Sequence, residues 1–301
     1  MTSNHRRNLS RFAMLSIVTA VAVFGLKLLA WWVTGSVGLL SDALESIVNV
    51  VAAVGAFVAL RVAAKPPDHG HNFGHTKAEY FSAVFEGVLI VVAAVIIVVT
   101  AVDRLINPRE LEEVGLGLGI SVGATVLNAV VAWILISAGR KHRSLTLEAD
   151  GKHLMTDVWT TVGVVVGVFL VAWTGWLPLD PLIAIAVAVN IMVVGTQLVW
   201  RSGSGLMDSA LPAEQRDAID DVLDRYRADG IVFHDIRTRE AGHQRFVQLH
   251  MLVPGDWSVQ HAHDLTEVVE GDLHAAVPDL NITTHLEPVN DPRAYEDWRL
   301  E

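Results

Sequence analysis

Apolar residues in this chain are gathered into six runs, covering approximately 12–34, 37–62, 78–101, 114–139, 146–174 and 179–201. An α-helix needs roughly 20 apolar residues to cross the hydrocarbon core of a bilayer, so the pattern predicts six transmembrane helices. Gly35-Ser36, Asn107-Pro108 and the stretch from Gly175 to Pro178 break the runs into pairs. After Arg201 the pattern changes. Pro212 starts a polar amphipathic helix from Ala213 to Ala228, closed by Asp229-Gly230. Three β-rich segments follow, Ile231–Glu240, Gln244–Val253 and Asn281–Val289, with a helix from Ser258 to about Ala276 between the second and third. The order α-β-β-α-β predicts a small two-layer α+β domain with its helices on one sheet face. Val247, Leu249, Met251 and Val253 then form the core face of the second strand, and His250 points away from it. In the third strand Ile282, Thr284 and Leu286 share one face, while His285 and Glu287 share the other.

These patterns divide the chain at residue 207. A six-span membrane domain covers 1–207 and includes a loop at 66–77; a soluble domain covers 208–292, and 293–301 form a tail. Composition agrees: 52% of the 301 residues are hydrophobic and the mean hydropathy is +0.42, above the usual range of a soluble domain. No cleaved signal peptide is expected, because the first apolar run begins near Phe12, is too long, and lacks a cleavage site. The net charge of −11 is uneven, since the segment from Asp208 onward holds 20 acids against 8 bases. An acidic soluble domain argues against nucleic-acid binding and favours attracting cations. Arg6, Arg7, Arg11, Arg61, Lys65, Lys77, Arg140, Lys141, Arg143 and Arg201 fall on one side of the predicted membrane. Their bias places both termini in the cytoplasm.

Polar residues inside the apolar runs carry the chemistry. Glu45 and Asn49, and His153 and Asp157, are each spaced i, i+4, so each pair shares one helix face. Two such faces turned toward each other offer four N and O ligands to a divalent cation. Hydrogen bonding between helices would account for Asn49, but Glu45 and Asp157 are charges that need partners at membrane depth. Asp42, one turn before Glu45, either extends this site, lines its approach or serves the helix end. The chain has no cysteine, so any metal is held by imidazole and oxygen ligands.

A second cluster lies in the loop Asp68-His69-Gly70-His71-Asn72-Phe73-Gly74-His75, where the density of His and Asp suits a metal and the glycines let a short loop close around one. The soluble domain holds seven of the thirteen histidines: His234, His243, His250, His261, His263, His274 and His285. His243, in a hairpin turn, and His274 are expected to be plain surface residues. His261 and His263 are spaced i, i+2, so a helix points them in different directions.

With these residues in view, the chain resembles the cation diffusion facilitators, bacterial zinc and divalent-cation exporters of the ferrous-iron and zinc efflux type. Ser41-Asp42-Ala43-Leu44-Glu45-Ser46, Phe73-Gly74-His75-Thr76-Lys77-Ala78-Glu79 and His153 to Asp157 carry the resemblance, which extends over roughly residues 12 to 290. It implies an α-helical membrane protein with six transmembrane helices and a C-terminal α+β ferredoxin-like cytoplasmic domain. By that resemblance Glu45, Asn49, His153 and Asp157 are the transport site, and Asp68, His71 and His75 a loop site. His234, His250, His263, His285 and Glu287 match a paired-metal site between two cytoplasmic domains. Lys77 and Asp208 match a charge interlock near the membrane surface. The family works as homodimers in the lipid bilayer, exchanging a cytoplasmic metal for protons. Glu45 and Asn49 depart from the Asp or His usual at those positions in zinc-exporting relatives, and Glu287 from the Asp often found there.

The expectation is therefore a transporter, not an enzyme: a homodimeric inner-membrane metal/proton antiporter. Zn²⁺ is the first candidate and Fe²⁺, Mn²⁺, Co²⁺ or Ni²⁺ the others, with the metal also regulating the cytoplasmic domain. A non-transporting membrane metal sensor or scaffold is the alternative, disfavoured by the presence together of Glu45, His153 and Asp157. A metal-dependent hydrolase lacks an identifiable general base or nucleophile beside an open metal position.

Overall fold

Six helices of 26 to 30 residues fill the first two-thirds of the chain. The computed structural model describes residues 9–34, 37–107 and 115–295. The helices are α1 (Leu9–Thr34), α2 (Val37–Ala63), α3 (Ala78–Ile106), α4 (Gly115–His142), α5 (Leu145–Thr174) and α6 (Leu179–Leu206). Local chemistry sets the ends of α5. The Ser144 side chain accepts the Leu147 N–H ahead of the first turn, and Gly175, at φ +71°, turns the chain away while its N–H bonds the Val171 carbonyl. Each apolar run has become a helix. Those at α3 and α6 continue to Ile106 and Leu206, past the apolar limits at 101 and 201, because the backbone goes on hydrogen bonding after the side chains turn polar. The connectors at 35–36 and 108–114 lie outside the described residues.

Burial in this helical unit is inverted relative to a soluble protein. Trp32, Trp133, Phe169 and Trp200 point outward, whereas Ala13, Ala56, Ala83, Ala132, Ser16 and Ser202 are fully buried. Lipid receives the large side chains, and small ones inside let helices approach. At Gly139 an added Cβ would lie 2.7 Å from the Glu148 backbone nitrogen, so α4 and α5 cross at backbone contact. Over the described residues, Leu9–Leu29, Ala78–Ile106, Val122–His142 and Pro181–Leu206 are long and apolar enough to cross a membrane. The apolar stretch Asn49–Ala63 of α2 is shorter, and Glu148, Asp150, Lys152 and Asp157 dilute α5.

A second compact unit begins at Gly205. It contains α7 (Ala213–Arg227), β1 (Val232–Ala241), β2 (Gln244–Val253), α8 (Val259–Ala276), β3 (Leu280–Pro288) and a 3₁₀ turn at Pro292–Tyr295. The sheet order is β1-β2-β3; β1 and β2 are antiparallel, and β3 runs parallel to β2 after the α8 crossover. Ile219 and Leu223 of α7 and Val269 and Leu273 of α8 pack on Val247, Leu249 and Met251. The predicted alternation holds in β2 and β3. In β1 the register shifts between His234 and Arg237, with Asp235 at φ +47°. This bulge lets Phe233 and Ile236 both meet the core while His234 keeps the opposite face.

Candidate metal centres

The first centre joins α2 to α5. Asn49, His153 and Asp157 come together, and Asn49 and His153 are almost fully buried. His153 Nε2 lies 2.9 Å from Asn49 Oδ1, and Asn49 Nδ2 donates to Asp157 Oδ2. With the amide N–H turned to the carboxylate, its oxygen accepts from the ring, so the imidazole proton sits on Nε2. His153 Nδ1 is buried with no hydrogen-bond partner among the described residues. The amide thus holds imidazole and carboxylate apart, and this chain of bonds must open before one cation can take all three ligands. Glu45 lies one turn before Asn49 on α2, as the i, i+4 spacing requires, but its side chain and that of Asp42 lie outside the described residues.

These three side chains border a cavity of about 550 Å³. One face of α3, through Leu89, Ala93, Ile96, Thr100 and Arg104, forms a wall, and Pro181 and Ala184 of α6 complete it. The lining residues of α3 recur every three or four positions, so the cavity follows that helix from the Asn49–His153–Asp157 group toward its C-terminal end. A polar group at the end of a largely apolar passage, here with Thr100 and Arg104 further along α3, can bind a cation and pass it to one side.

The loop before α3 forms the second centre. Asp68, His71 and His75 each offer a ligand atom, all within 4.8 Å of one another. Asp68 Oδ1 accepts from the backbone N–H of Gly70 at 2.9 Å and of His71 at 2.8 Å. Its Oδ2 lies 3.4 Å from His75 Nε2. Gly74, at φ +82°, permits the turn that brings His75 back. Desolvation works against the charge on Asp68, but the N–H groups of His71 and Gly70, the His71 ring and nearby His75 outweigh it and hold the carboxyl below its ordinary range. The group is therefore a ready anion at physiological pH.

The third centre is a row across the sheet. His234 pairs with His250, and His250 with His285, so adjacent strands set three imidazoles side by side on the face away from the core. Glu287, two residues on from His285, reaches across them. Its Oε2 lies 2.9 Å from His234 Nε2 and 3.3 Å from His250 Nδ1, and its Oε1 3.5 Å from His285 Nε2. His234, His250 and Glu287 place ligand atoms within 4.8 Å of one another. His263 does not join them. It sits exposed on α8, in the helix layer on the other sheet face, beside Glu267 at 3.8 Å, while the His261 ring lies tilted against that of Trp257, centroids 4.1 Å apart. Asp208 is bound by Arg239 of its own unit at 3.1 Å, and Lys77 lies in the helical unit.

Sequence reasoning passed over several groups. Asp235, aimed by the β1 bulge, lies 3.7 Å from His250 Nε2, and the Tyr295 ring lies 6.3 Å from that of His234. Neither carried a spacing signal. Glu79, Glu86 and Asp150 are buried in the helical unit. Glu86 and Asp150 did carry a signal, because they are charges within span-length apolar runs, the argument already applied to Glu45 and Asp157.

Comparison with known proteins gives the family. Residues 13–207 match the cation efflux transmembrane domain, and residues 211–289 the cytoplasmic domain of cation efflux proteins. The uncharacterized transporter sll1263 of Synechocystis sp. (strain ATCC 27184 / PCC 6803 / Kazusa) is 51% identical over 285 residues, 95% of this chain and 92% of that one. The cation-efflux pump FieF of Salmonella arizonae is 30% identical over 302 residues, covering 100% of both. Among solved structures, the Zn form of the transporter CzrB is 35% identical over 28% of this chain and 96% of its own, with a TM-score of 0.26.

Proposed function

The chain belongs to the cation efflux family, and from that premise we propose that it exports a divalent first-row metal from the cytoplasm in exchange for protons. The membership makes it a multi-pass membrane transporter and not an enzyme. Our reading adds Zn²⁺ as the first substrate, a homodimer in the inner membrane, and both termini in the cytoplasm. One observation carries it: Asn49, His153 and Asp157 meet inside the bundle beside a cavity that follows α3. Imidazole with carboxylate favours Zn²⁺, Co²⁺ or Ni²⁺, and the oxygen-rich remainder admits Mn²⁺ or Fe²⁺.

Metal and protons compete at that site. Ligands that are deprotonated and face the cytoplasm take the ion; protonation on the other side releases it. Asn49 contributes an oxygen but cannot titrate, so the proton traffic falls to His153, Asp157 and Glu45. The Asp68–His71–His75 group suits a collecting site ahead of α3. The His234–His250–His285–Glu287 row suits a regulatory metal that draws two subunits together, with His263 supplied from the partner subunit. Proteoliposomes with an internal pH dye, challenged with Zn²⁺, Mn²⁺, Fe²⁺, Co²⁺ and Ni²⁺ in turn, test the reading. Metal entry with opposite proton movement supports it. Metal binding without transport makes the protein a sensor.

A further inference from the structure

Two buried acids take no part in the reading above. Glu86 of α3 and Asp150 of α5 are 0% and 1% exposed. Ser82 Oγ donates to Glu86 Oε1 at 3.2 Å, and Ser16 Oγ of α1 donates to Asp150 Oδ1 at 3.0 Å. The other oxygen of each carboxyl, Glu86 Oε2 and Asp150 Oδ2, is buried with no hydrogen-bond partner among the described residues. Each acid therefore has one satisfied and one unsatisfied oxygen. Glu86 is seven residues beyond Glu79 on α3 and Asp150 six beyond Ser144 on α5, and Ser144 is bonded to Glu79, so the two acids stand at one level of the two helices.

Their place in the bundle gives the pair its meaning. The N-terminal ends of α3 and α5 are fastened together, since the Ser144 hydroxyl donates to the Glu79 carboxylate and Thr146 Oγ1 to the Glu79 carbonyl. Further along, Leu89 and His153 border the cavity. Glu86 is one turn before Leu89 and Asp150 one turn before His153. The pair lies where α3 meets α5, between the fastened ends and the cavity. Neither backbone can retreat locally. An added Cβ at Gly87 would lie 3.2 Å from the Gly195 carbonyl of α6, and one at Gly151 3.0 Å from the Ala132 carbonyl of α4.

No neighbouring cation answers these charges among the described residues. On α5, Glu148 holds Lys152 at 2.9 Å and Arg201 of α6 at 3.3 Å, and His153 is engaged by Asn49 of α2. From α1 comes the Ser16 hydroxyl, from α3 the Ser82 hydroxyl, with Glu79 two turns away and bound to Ser144. The α4 surface against Gly151 is Ile136 and the Ala132 carbonyl. Two ionised carboxylates shut away from water with only hydroxyl donors repel each other, and one proton between them supplies the missing donor.

We propose that Glu86 and Asp150 form a shared proton-binding site whose occupancy holds α3 against α5 and keeps this end of the bundle closed below the cavity. Loss of the proton leaves two like charges facing each other, which drives the helices apart and lets water in from that end. The coupling of this latch to metal export rests on the antiport reading; the proton site itself does not.

The chain has no cysteine, so a single introduced thiol reports opening directly in the full-length protein. Ala83→Cys, fully buried one turn before Glu86, is the reporter, and Ala149→Cys, equally buried on α5, is the second if the first disturbs packing. Maleimide labelling is divided by that of Val259→Cys, 84% exposed, which removes the intrinsic pH dependence of the thiol. The labelling ratio should rise with pH, by up to about tenfold per pH unit for one linked proton. With Glu86→Gln and Asp150→Asn together it should stay low and flat, because the neutral amides cannot repel as two carboxylates do. An infrared band of a protonated carboxyl should also be lost in either single variant. A ratio that is flat in the wild type, or that tracks pH equally in the double variant, overturns the proton site. Loss of one bound Zn²⁺ per chain in Glu86→Gln, counted by equilibrium dialysis, overturns it in favour of a cation site. If wild-type labelling follows pH but Zn²⁺ uptake moves no protons, the antiport reading fails and the proton site stands.

Discussion

Asn49→Asp isolates what a neutral amide does at the intramembrane centre. In the native site the amide N–H donates to Asp157, and its oxygen faces His153 Nε2 at 2.9 Å. Aspartate keeps the volume and that oxygen, but replaces the donor with a second carboxylate oxygen in hydrogen-bond contact with the first. Two carboxylates about 3 Å apart repel by about 5 kcal/mol at an effective dielectric constant of about 20. That is several times the roughly 1 kcal/mol of the hydrogen bond it replaces. The variant relieves the repulsion by holding a proton or a divalent cation between the two groups. A metal must then displace that proton, so proton release per metal should rise by about one. Metal affinity should fall more steeply with acidity, by about a further tenfold per pH unit. At alkaline pH the extra charge should tighten Zn²⁺ binding by about tenfold or more, with slower release during transport. Calorimetry in two buffers of different ionisation enthalpy counts the protons, and a Glu287→Gln background weakens the competing sheet site. Equal affinity and equal proton counts at every pH would refute the reasoning. Asn49 would then be a packing residue, and the site would have to be rebuilt from Asp42, Glu45, His153 and Asp157.

Asp157→Ala removes the carboxylate that Asn49 presents; it leaves a divalent ion short of charge in a dry site, and transport should fall by about a hundredfold or more while the protein stays folded. Near-native flux in proteoliposomes sinks the site. Glu287→Gln takes the anion from a row in which it contacts His234, His250 and His285. Metal binding to the isolated C-terminal unit should weaken by about 3 kcal/mol, or about a hundredfold in Kd, with the transport path intact; an unchanged Kd by chelator competition contradicts this. Asp291, hydrogen-bonded by the Arg293 side chain and backbone, titrates at about 2 rather than the ordinary 3.8. Because its folded value is depressed, its contribution to the 3₁₀ turn is fully present above about pH 4 and is lost as pH falls through about 2. A carboxyl NMR midpoint at the ordinary value argues against that pairing.

How far the fold was legible follows from where its signals lie. The membrane helices were readable because bilayer thickness demands long apolar runs: all six runs became helices, and four of these are long and apolar enough over the described residues to cross a membrane. The α-β-β-α-β unit was readable because β2 and β3 alternate cleanly, with Val247, Leu249 and Met251 on the core face and His250 on the other. The bulge in β1 was not. Its signal is a backbone angle at Asp235, and Asp at positive φ is permitted by chemistry without being demanded by pattern. Thus His234 was found as a candidate, but the approach of Asp235 to His250 was not.

The sequence by itself determined which residues can share a face, because helical and strand periods follow from local backbone geometry: Asn49 below Glu45, Asp157 above His153, and Glu287 beside His285. It also determined the ligand chemistry, since a chain with no cysteine offers a metal only imidazole, carboxylate and amide. Which faces meet was decided by tertiary structure alone. The sequence separation of 108 between Asn49 and Asp157 is closed by helix packing, and no local rule relates those two positions. Strand registration put His234, His250 and His285 in one row, and the same layering put His263 on the far side of the sheet. Helix packing also buried Glu86 and Asp150, which pattern alone does not give, because burial at depth depends on how small residues such as Gly87 and Gly151 let α3 close on α6 and α5 on α4.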